Sequence, residues 1–313
     1  MKKISIILAV VLLLLLAFTY LFIPNSITIA QKISIAANRE AIFRKLGDAT
    51  EWKKWWPGEE NNNASNHLLV LNGLQYKLDD KKFLSLLISI SNQNFKAVTE
   101  LTFIPENIDE STLSLNGIIP TSYNPIKRIQ LFFTSRKIKK DINTLLQSIK
   151  SHYSTTASLY GYDIQKKLVV DSTLLSTFKE IKGNPSTEII YSLVDELKTY
   201  IKQQSANETG HPMLNIFTKD SITYLVKVAI PVDKKLPSSG NISYRWMLGG
   251  GNILITEVKG GENKIQKAYI QILNYISDNK RVAPAIPFQS LVTDRIKEPD
   301  SSKWITRIYY PVM

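Results

Sequence analysis

Two strands in the second half of the chain end alike, in Ala229-Ile230-Pro231-Val232 and Tyr309-Tyr310-Pro311-Val312, with their prolines 80 positions apart. The likeness extends backwards from there. Strand-like segments over 163–171, 213–218 and 221–232 and a helical one over 187–202 recur in the same order. The second set comprises strands over 242–248, 253–258, 288–292 and 304–312 and a helix over 264–278. The helical stripes match, Ile189, Leu193, Val194, Leu197 and Ile201 against Ile265, Tyr269, Ile272, Leu273 and Ile276. A sequence duplicated in this way predicts an α+β domain of two β-α-β-β copies over 162–313, with a shared cleft on the axis between them as the default ligand site. Gly249-Gly250-Gly251 falls between two strands and reads as a hairpin turn rather than a phosphate cradle.

Three segments of this region carry a family resemblance: Met247-Leu248-Gly249-Gly250, Glu257-Val258-Lys259-Gly260-Gly261 and Thr306-Arg307-Ile308-Tyr309-Tyr310-Pro311-Val312. Together they resemble the effector-binding domain of bacterial drug-responsive regulators, the gyrase-inhibitor-like family. The resemblance implies a ligand cleft, and Trp246 is counted with it. Two positions depart from the family pattern: Lys259 stands where a His is usual and Arg307 where a Glu is usual. The family's Glu serves cationic drugs or hydrolysis, and neither role passes to an arginine.

Counting back four from each proline gives Lys227 and Arg307, so both copies carry a cation there. Strand alternation sets Arg307 opposite Ile308 and Lys227 opposite Val228, with Tyr309 on the face of Arg307. Two arrangements follow. The cations look into the cleft and favour a carboxylate or phosphate, or Glu257 pairs with Arg307 and neutralises it.

The first half reads differently. A strand from Ile27 is followed by Ala36-Ala37-Asn38-Arg39-Glu40-Ala41-Ile42-Phe43, then Leu46, Asp48 and Trp52-x-x-Trp55-x-Pro57. Strand-like runs follow over 67–71, 84–91, 95–104, 111–119 and 128–134, divided by Asn, Asp, Gly and Pro clusters. A closing helix of about four turns carries an apolar stripe from Ile138 through Ile142, Leu145, Leu146 and Ile149 to Tyr153. This opening and closing resemble the SRPBCC superfamily, which includes START-type lipid carriers and polyketide cyclases. The resemblance over 27–153 implies a helix-grip antiparallel sheet over a long C-terminal helix, enclosing an apolar cavity. Trp52 and Trp55 then either gate that cavity or simply fill core. A linker is expected over 154–161.

From Ile4 to Ile23 the chain carries no charge, and about 20 helical residues rise about 30 Å, the thickness of bilayer hydrocarbon. Residues 1–24 are therefore expected to form one uncleaved transmembrane helix. Lys2 and Lys3 would stay on the cytoplasmic side of a bacterial-type plasma membrane, placing both domains on the outer, periplasmic side.

Composition narrows the chemistry further. The 313 residues contain no cysteine and three histidines, His67, His152 and His211, which leaves no thiol nucleophile and no Cys-ligated metal. Lys and Arg exceed Asp and Glu by 39 to 27, a formal charge of +12, with a basic cluster at Lys127, Arg128, Arg136, Lys137, Lys139 and Lys140. Nothing resembles a nucleic-acid reading head, a P-loop, a dinucleotide fingerprint, HExxH or GxSxG. The expected function is therefore non-catalytic binding of a hydrophobic or amphipathic small molecule, anionic in one reading, at the membrane. No cofactor, metal or nucleic acid is expected. The alternative is a hydrolase or cyclase acting on a hydrophobic small molecule in one of the two cavities, with Glu257 as the candidate carboxylate of the second.

Overall fold

The structure, a computed structural model, describes residues 2–60, 68–93, 95–170 and 172–313, without the side chains of 2, 3, 5, 59 and 60. His67 and Asp171 lie outside the described residues. The chain divides between Thr155 and Thr156 into two compact units.

Unit 1 begins with the helix α1 (Lys2–Phe22). Pro24-Asn25 lead into β1 (Ser26–Ile35), whose alternation buries Ile27, Ile29 and Ile35. Asn38 accepts from Glu40 N to start α2 (Arg39–Leu46), and Asp48 accepts from Thr50 N to start a short 3-10 helix, Ala49–Lys54. Six strands follow: β2 (Glu59–Glu60), β3 (Leu69–Leu71), β4 (Leu74–Lys81), β5 (Ser85–Asn92), β6 (Phe95–Pro105) and β7 (Ser111–Pro120). The antiparallel sheet runs β1-β7-β6-β5-β4-β3-β2, and α3 (Pro125–His152) supplies Ile138, Ile142, Leu145, Leu146 and Ile149 to the core.

Two expectations for this unit need correction. The segment 128–134 is helical, because Asn124 caps Ile126 and Lys127 with Pro125 in the first turn and so starts the helix well before Ile138. Its β-branched and aromatic content gave the strand-like signal, which the cap overrode. β4 lacked a strand signal because its second half is Leu78-Asp79-Asp80-Lys81, largely exposed. As for the N-terminus, among the described residues no helix is long and apolar enough to cross a membrane. A membrane span over Ile4–Ile23 is thus a proposal.

Unit 2 opens with α4 (Thr156–Tyr160), a short helix where a linker was expected. Copy one comprises β8 (Gln165–Leu168), β9 (Ser172–Lys182), α5 (Thr187–Gln203), β10 (Met213–Thr218) and β11 (Thr223–Val232). Copy two comprises β12 (Ser243–Met247), β13 (Asn252–Lys259), α6 (Glu262–Asp278), β14 (Phe288–Leu291) and β15 (Ile305–Val312). The duplication is therefore present, with one more strand in copy one than the sequence suggested. β9 is the missing counterpart of β13. Its consecutive Leu174-Leu175 and exposed Phe178 blur the alternation that would mark it.

The antiparallel sheet runs β12-β9-β11-β10-β14-β15-β13-β8, symmetric about the β10–β14 contact. Each copy's first strand docks on the other copy, β8 on β13 and β12 on β9. Register aligns Val228, Leu214, Gln289 and Ile308 in one buried row across the centre. Both helices cover that side, α5 against β9 and β11, α6 against β13 and β15. The expected helix stripes are buried except for the half-buried Ile189 and Tyr269 and the exposed Leu273, and Ile190 and Ala268 join them.

Candidate functional site

Because both helices of unit 2 lie on one side, the neighbouring positions of the central strands face the other side, where no helix covers them among the described residues. Register places Ala229, Met213, Ser290, Arg307 and Glu257 in one row there, and Phe288 opposite Tyr309 in the next. The Phe288 and Tyr309 rings stack at 4.9 Å with 6° between planes. They floor an open cleft of about 510 Å³, within the roughly 300–1,000 Å³ typical of small-molecule sites.

Both copies build this cleft. Met213 and Pro231 come from copy one, and Ile253, Ile255 and Met247 from copy two. The exchanged edge strand β8 brings Lys167 and Leu168, and Val169 and Val170 follow it. Val169 N donates to Gly251 O at 2.7 Å and Gly250 N to Val169 O at 2.9 Å, fixing this wall to the β12–β13 turn. Gly250 has φ +85°, a conformation that favours glycine. A second groove of about 740 Å³ shares Val169, Met213, Met247, Ile253 and Phe288, and extends the apolar surface to Trp246, Leu248 and Ile286.

Three cationic or titratable bases line the cleft: Lys167, His211 and Arg307. Among the described residues no carboxylate lines it. Arg307 Nε donates to Glu257 Oε2 at 2.9 Å, the directly opposed cross-strand pair. That hydrogen bond raises the already high pKa of Arg307 and locks its charge, although slight burial acts against it. Glu257, on which the enzymatic alternative rests, is thus engaged at the rim and does not line the cleft. Ser172, Thr209 and Ser290 contribute hydroxyl-bearing side chains to the same lining. Among the described residues no group of His, Asp and Glu could hold a metal ion.

The residues singled out from sequence are therefore not brought together in one place. Arg307 and Tyr309 line the cleft, and Trp246, 62% exposed, lines the adjoining groove. Lys227 lies on the same side of the sheet, opposite Asn215 and Phe178, but outside the lining. Trp52 and Trp55 belong to unit 1 and are buried. Sequence reading missed Phe288, Met213, Lys167 and His211. The repeat and its alternation could have found Phe288 and Met213, because they are counterparts facing Tyr309 and Ala229.

The apolar interior of unit 1 offers far less space than this cleft. Leu46, Trp52, Trp55, Trp56, Tyr76 and Leu145 surround about 20 Å³, room for a single water. The three indoles meet with ring centroids 5.4, 5.6 and 6.1 Å apart, and Trp56 meets Tyr76 edge-on at 5.3 Å. Trp52 Nε1 donates to Leu46 O at 2.7 Å, whereas Trp55 Nε1 is buried with no acceptor among the described residues.

No protein-family model matches the chain, and no curated protein sequence matches it. Solved structures similar to it include the C-terminal domain of EcmrR, at 18% identity over 49% of this chain and 98% of that one, with a TM-score of 0.39. SAV2435, solved with tetraphenylphosphonium bound, is similar at 14% identity over 48% of this chain and 94% of that one, TM-score 0.32. A Listeria innocua hydrolase is similar at 12% identity over 48% and 91%, TM-score 0.36. At these values the likeness assigns no role to any residue, and the site rests on its own geometry.

Proposed function

We propose that unit 2 is a non-catalytic receptor for an amphipathic small molecule, which it senses, sequesters or passes on. The apolar body of the ligand lies on the Phe288–Tyr309 stack, and its anionic group meets Arg307, Lys167 and His211. The observation that carries this reading is the open, two-copy cleft of about 510 Å³, with an aromatic floor and no described carboxylate in its lining. Stacked rings provide a large flat apolar contact at little entropic cost, and a guanidinium suits carboxylate or phosphate geometry.

On this reading unit 1, an SRPBCC-like helix-grip domain, is a closed support rather than a second receptor. Its interior of about 20 Å³ favours that assignment. α1 then anchors the chain in a bacterial-type plasma membrane, its N-terminus cytoplasmic by the positive-inside bias of Lys2 and Lys3 and both units outside. The exposure of Leu8, Leu12, Leu13, Leu15 and Phe22 all round α1 supports this placement, since a helix apolar on every side calls for lipid or a protein interior.

The test uses two ions with the same tetraphenyl body and opposite charge. In isothermal titration, tetraphenylborate should bind more tightly than tetraphenylphosphonium. Arg307→Gln should narrow that difference, which separates a local effect from attraction by the net charge. Tighter binding of the phosphonium, or no binding of either ion, would overturn the reading.

A further inference from the structure

The junction between α1 and the sheet of unit 1 is fixed by a buried cation. Arg128 of α3 is 3% exposed, and its Nε donates to Ile23 O at 3.0 Å, at the carbonyl end of α1. Its Nη2 donates to the same carbonyl and to Asn25 Oδ1 at 2.9 Å. The guanidinium also lies 5.0 Å over the Tyr20 ring. Tyr20 OH donates to Tyr123 O, and Thr121 closes the other side by donating to Pro24 O at 2.8 Å and Asn25 O at 2.9 Å. A cation at the last carbonyls of a helix is electrostatically favourable, and here it ties the end of α1 to the start of α3.

From that junction outward, the uncovered face of α3 changes character. Tyr123 is 91% exposed, Ile126 68%, Ile129 39% and Phe133 62%; the last three follow helical spacing. The same face continues in the exposed Arg136, Lys137 and Lys140, with the Arg136 guanidinium 4.5 Å over the Phe132 ring. At 1.5 Å per residue the apolar part, Ile126 to Phe133, extends about 10 Å and the basic part, Arg136 to Lys140, about 6 Å. Four large apolar side chains exposed within eleven residues mark an interaction surface, and the basic end identifies its partner by charge.

We propose that this face of α3 docks on an anionic phospholipid surface, as the interfacial continuation of α1. The proposal rests on the reading that α1 lies in the bilayer. Tyr123, Ile126, Ile129 and Phe133 enter the boundary between headgroups and acyl chains, a depth of about 5–10 Å for an interfacial helix. Arg136, Lys137 and Lys140 then lie at the level of the lipid phosphates. With Arg128 holding the corner, unit 1 sits against the membrane in one orientation instead of swinging on a tether.

The chain has no cysteine, so single cysteines report without background. Spin labels are placed at Leu13, Ile126, Phe133 and Phe83 of the full chain, reconstituted in phosphatidylcholine vesicles with and without phosphatidylglycerol. Phe83 is the control, 89% exposed and in the β4–β5 turn; β-pairing puts that turn at the end of the sheet away from Ser26. The readout is collision with oxygen against a water-soluble nickel chelate. Labels at Leu13, Ile126 and Phe133 should favour oxygen several-fold over the Phe83 label when phosphatidylglycerol is present. The triple variant Arg136→Gln, Lys137→Gln and Lys140→Gln should lower the ratio at Phe133 and leave Leu13 unchanged. Leu13 in lipid with Ile126 and Phe133 in water would overturn the docking surface alone. Leu13 in lipid with those two shielded from both reagents would overturn it in favour of a protein partner. Leu13 in water would overturn the anchor and the proposal together.

Discussion

The aromatic cluster of unit 1 and the aromatic floor of unit 2 are built from similar side chains and differ in what lies over them. In unit 1, α3 presses on the inner face of the sheet, and the three tryptophans and Tyr76 close around about 20 Å³. In unit 2 both helices occupy one face, so Phe288 and Tyr309 stack over about 510 Å³ of open cleft. Ring content therefore does not distinguish core from site. Whether the rings lie on the face of the sheet that the helices cover does.

The comparison is tested most severely by removing one ring from each place. Trp52 is 3% exposed and its indole is hydrogen-bonded, so Trp52→Ala should destabilise unit 1 by about 3–5 kcal/mol and leave a cavity. Because two units need not unfold together, hydrogen exchange in urea should be followed separately for β5–β6 and for β11–β15. The loss should appear in the first pair of strands, with ligand affinity in unit 2 unchanged. Tyr309→Ala should do the reverse. Tyr309 is half-buried and lies on the ligand side, so affinity for tetraphenylborate should fall about tenfold, about 1.4 kcal/mol, with little change in unfolding. Lost folding in place of lost affinity would make the Phe288–Tyr309 stack core rather than site.

The part of this contrast that sequence could carry is the part governed by local period. The duplicated helices and the Pro-Val strand ends are visible because side chains alternate or recur at fixed spacing, and the cleft on the axis followed from the repeat. The exchange of β8 and β12 between copies is a long-range pairing with no local signature, and it is what brings Lys167 to the cleft. Lys227 shows the same limit: alternation gave its side of the sheet correctly, but the lining stops at Met213 and Pro231 and does not reach it. The helical state of 128–134 depended on the Asn124-Pro125 cap, a stronger signal than the β-propensity of Leu131-Phe132-Phe133. Trp52 and Trp55 could have been gate or core on sequence alone, because both roles require the same residue type.

A smaller effect concerns the charge at the rim. Glu257 and Arg307 are both about half exposed, and exposed pairs of this kind contribute about 0–1 kcal/mol. Glu257→Gln keeps the side-chain shape and removes the competing anion. Affinity for tetraphenylborate should therefore rise about two- to fivefold in titration at low salt, and the gain should shrink as ionic strength rises. An unchanged affinity would show that the ligand does not reach the guanidinium.

The smallest effect concerns how the closed cluster is held. The turn bearing Trp52 starts at Asp48, whose carboxylate accepts from the Thr50 hydroxyl at 2.6 Å and the Thr50 amide at 2.9 Å. The side-chain and backbone hydrogen bonds hold its pKa below the ordinary carboxylate value; slight burial opposes them, and Lys45 and Lys54 reinforce them. A folded pKa below the unfolded one gives stabilisation that is whole above the unfolded value, about 3.9, and is lost as pH falls through the folded value. Glu51 adds in the same direction: burial alone would raise its pKa, but Lys54 and Lys45 outweigh it. Asparagine caps about as well as aspartate, so Asp48→Asn should match the parent near neutrality. As pH falls below about 4 the parent should lose unit 1 stability more steeply than Asp48→Asn, read as urea midpoints from exchange in β5–β6. Equal slopes would mean that ring packing alone holds the turn, and the closed state of unit 1 would then owe nothing to the polar cap at its edge.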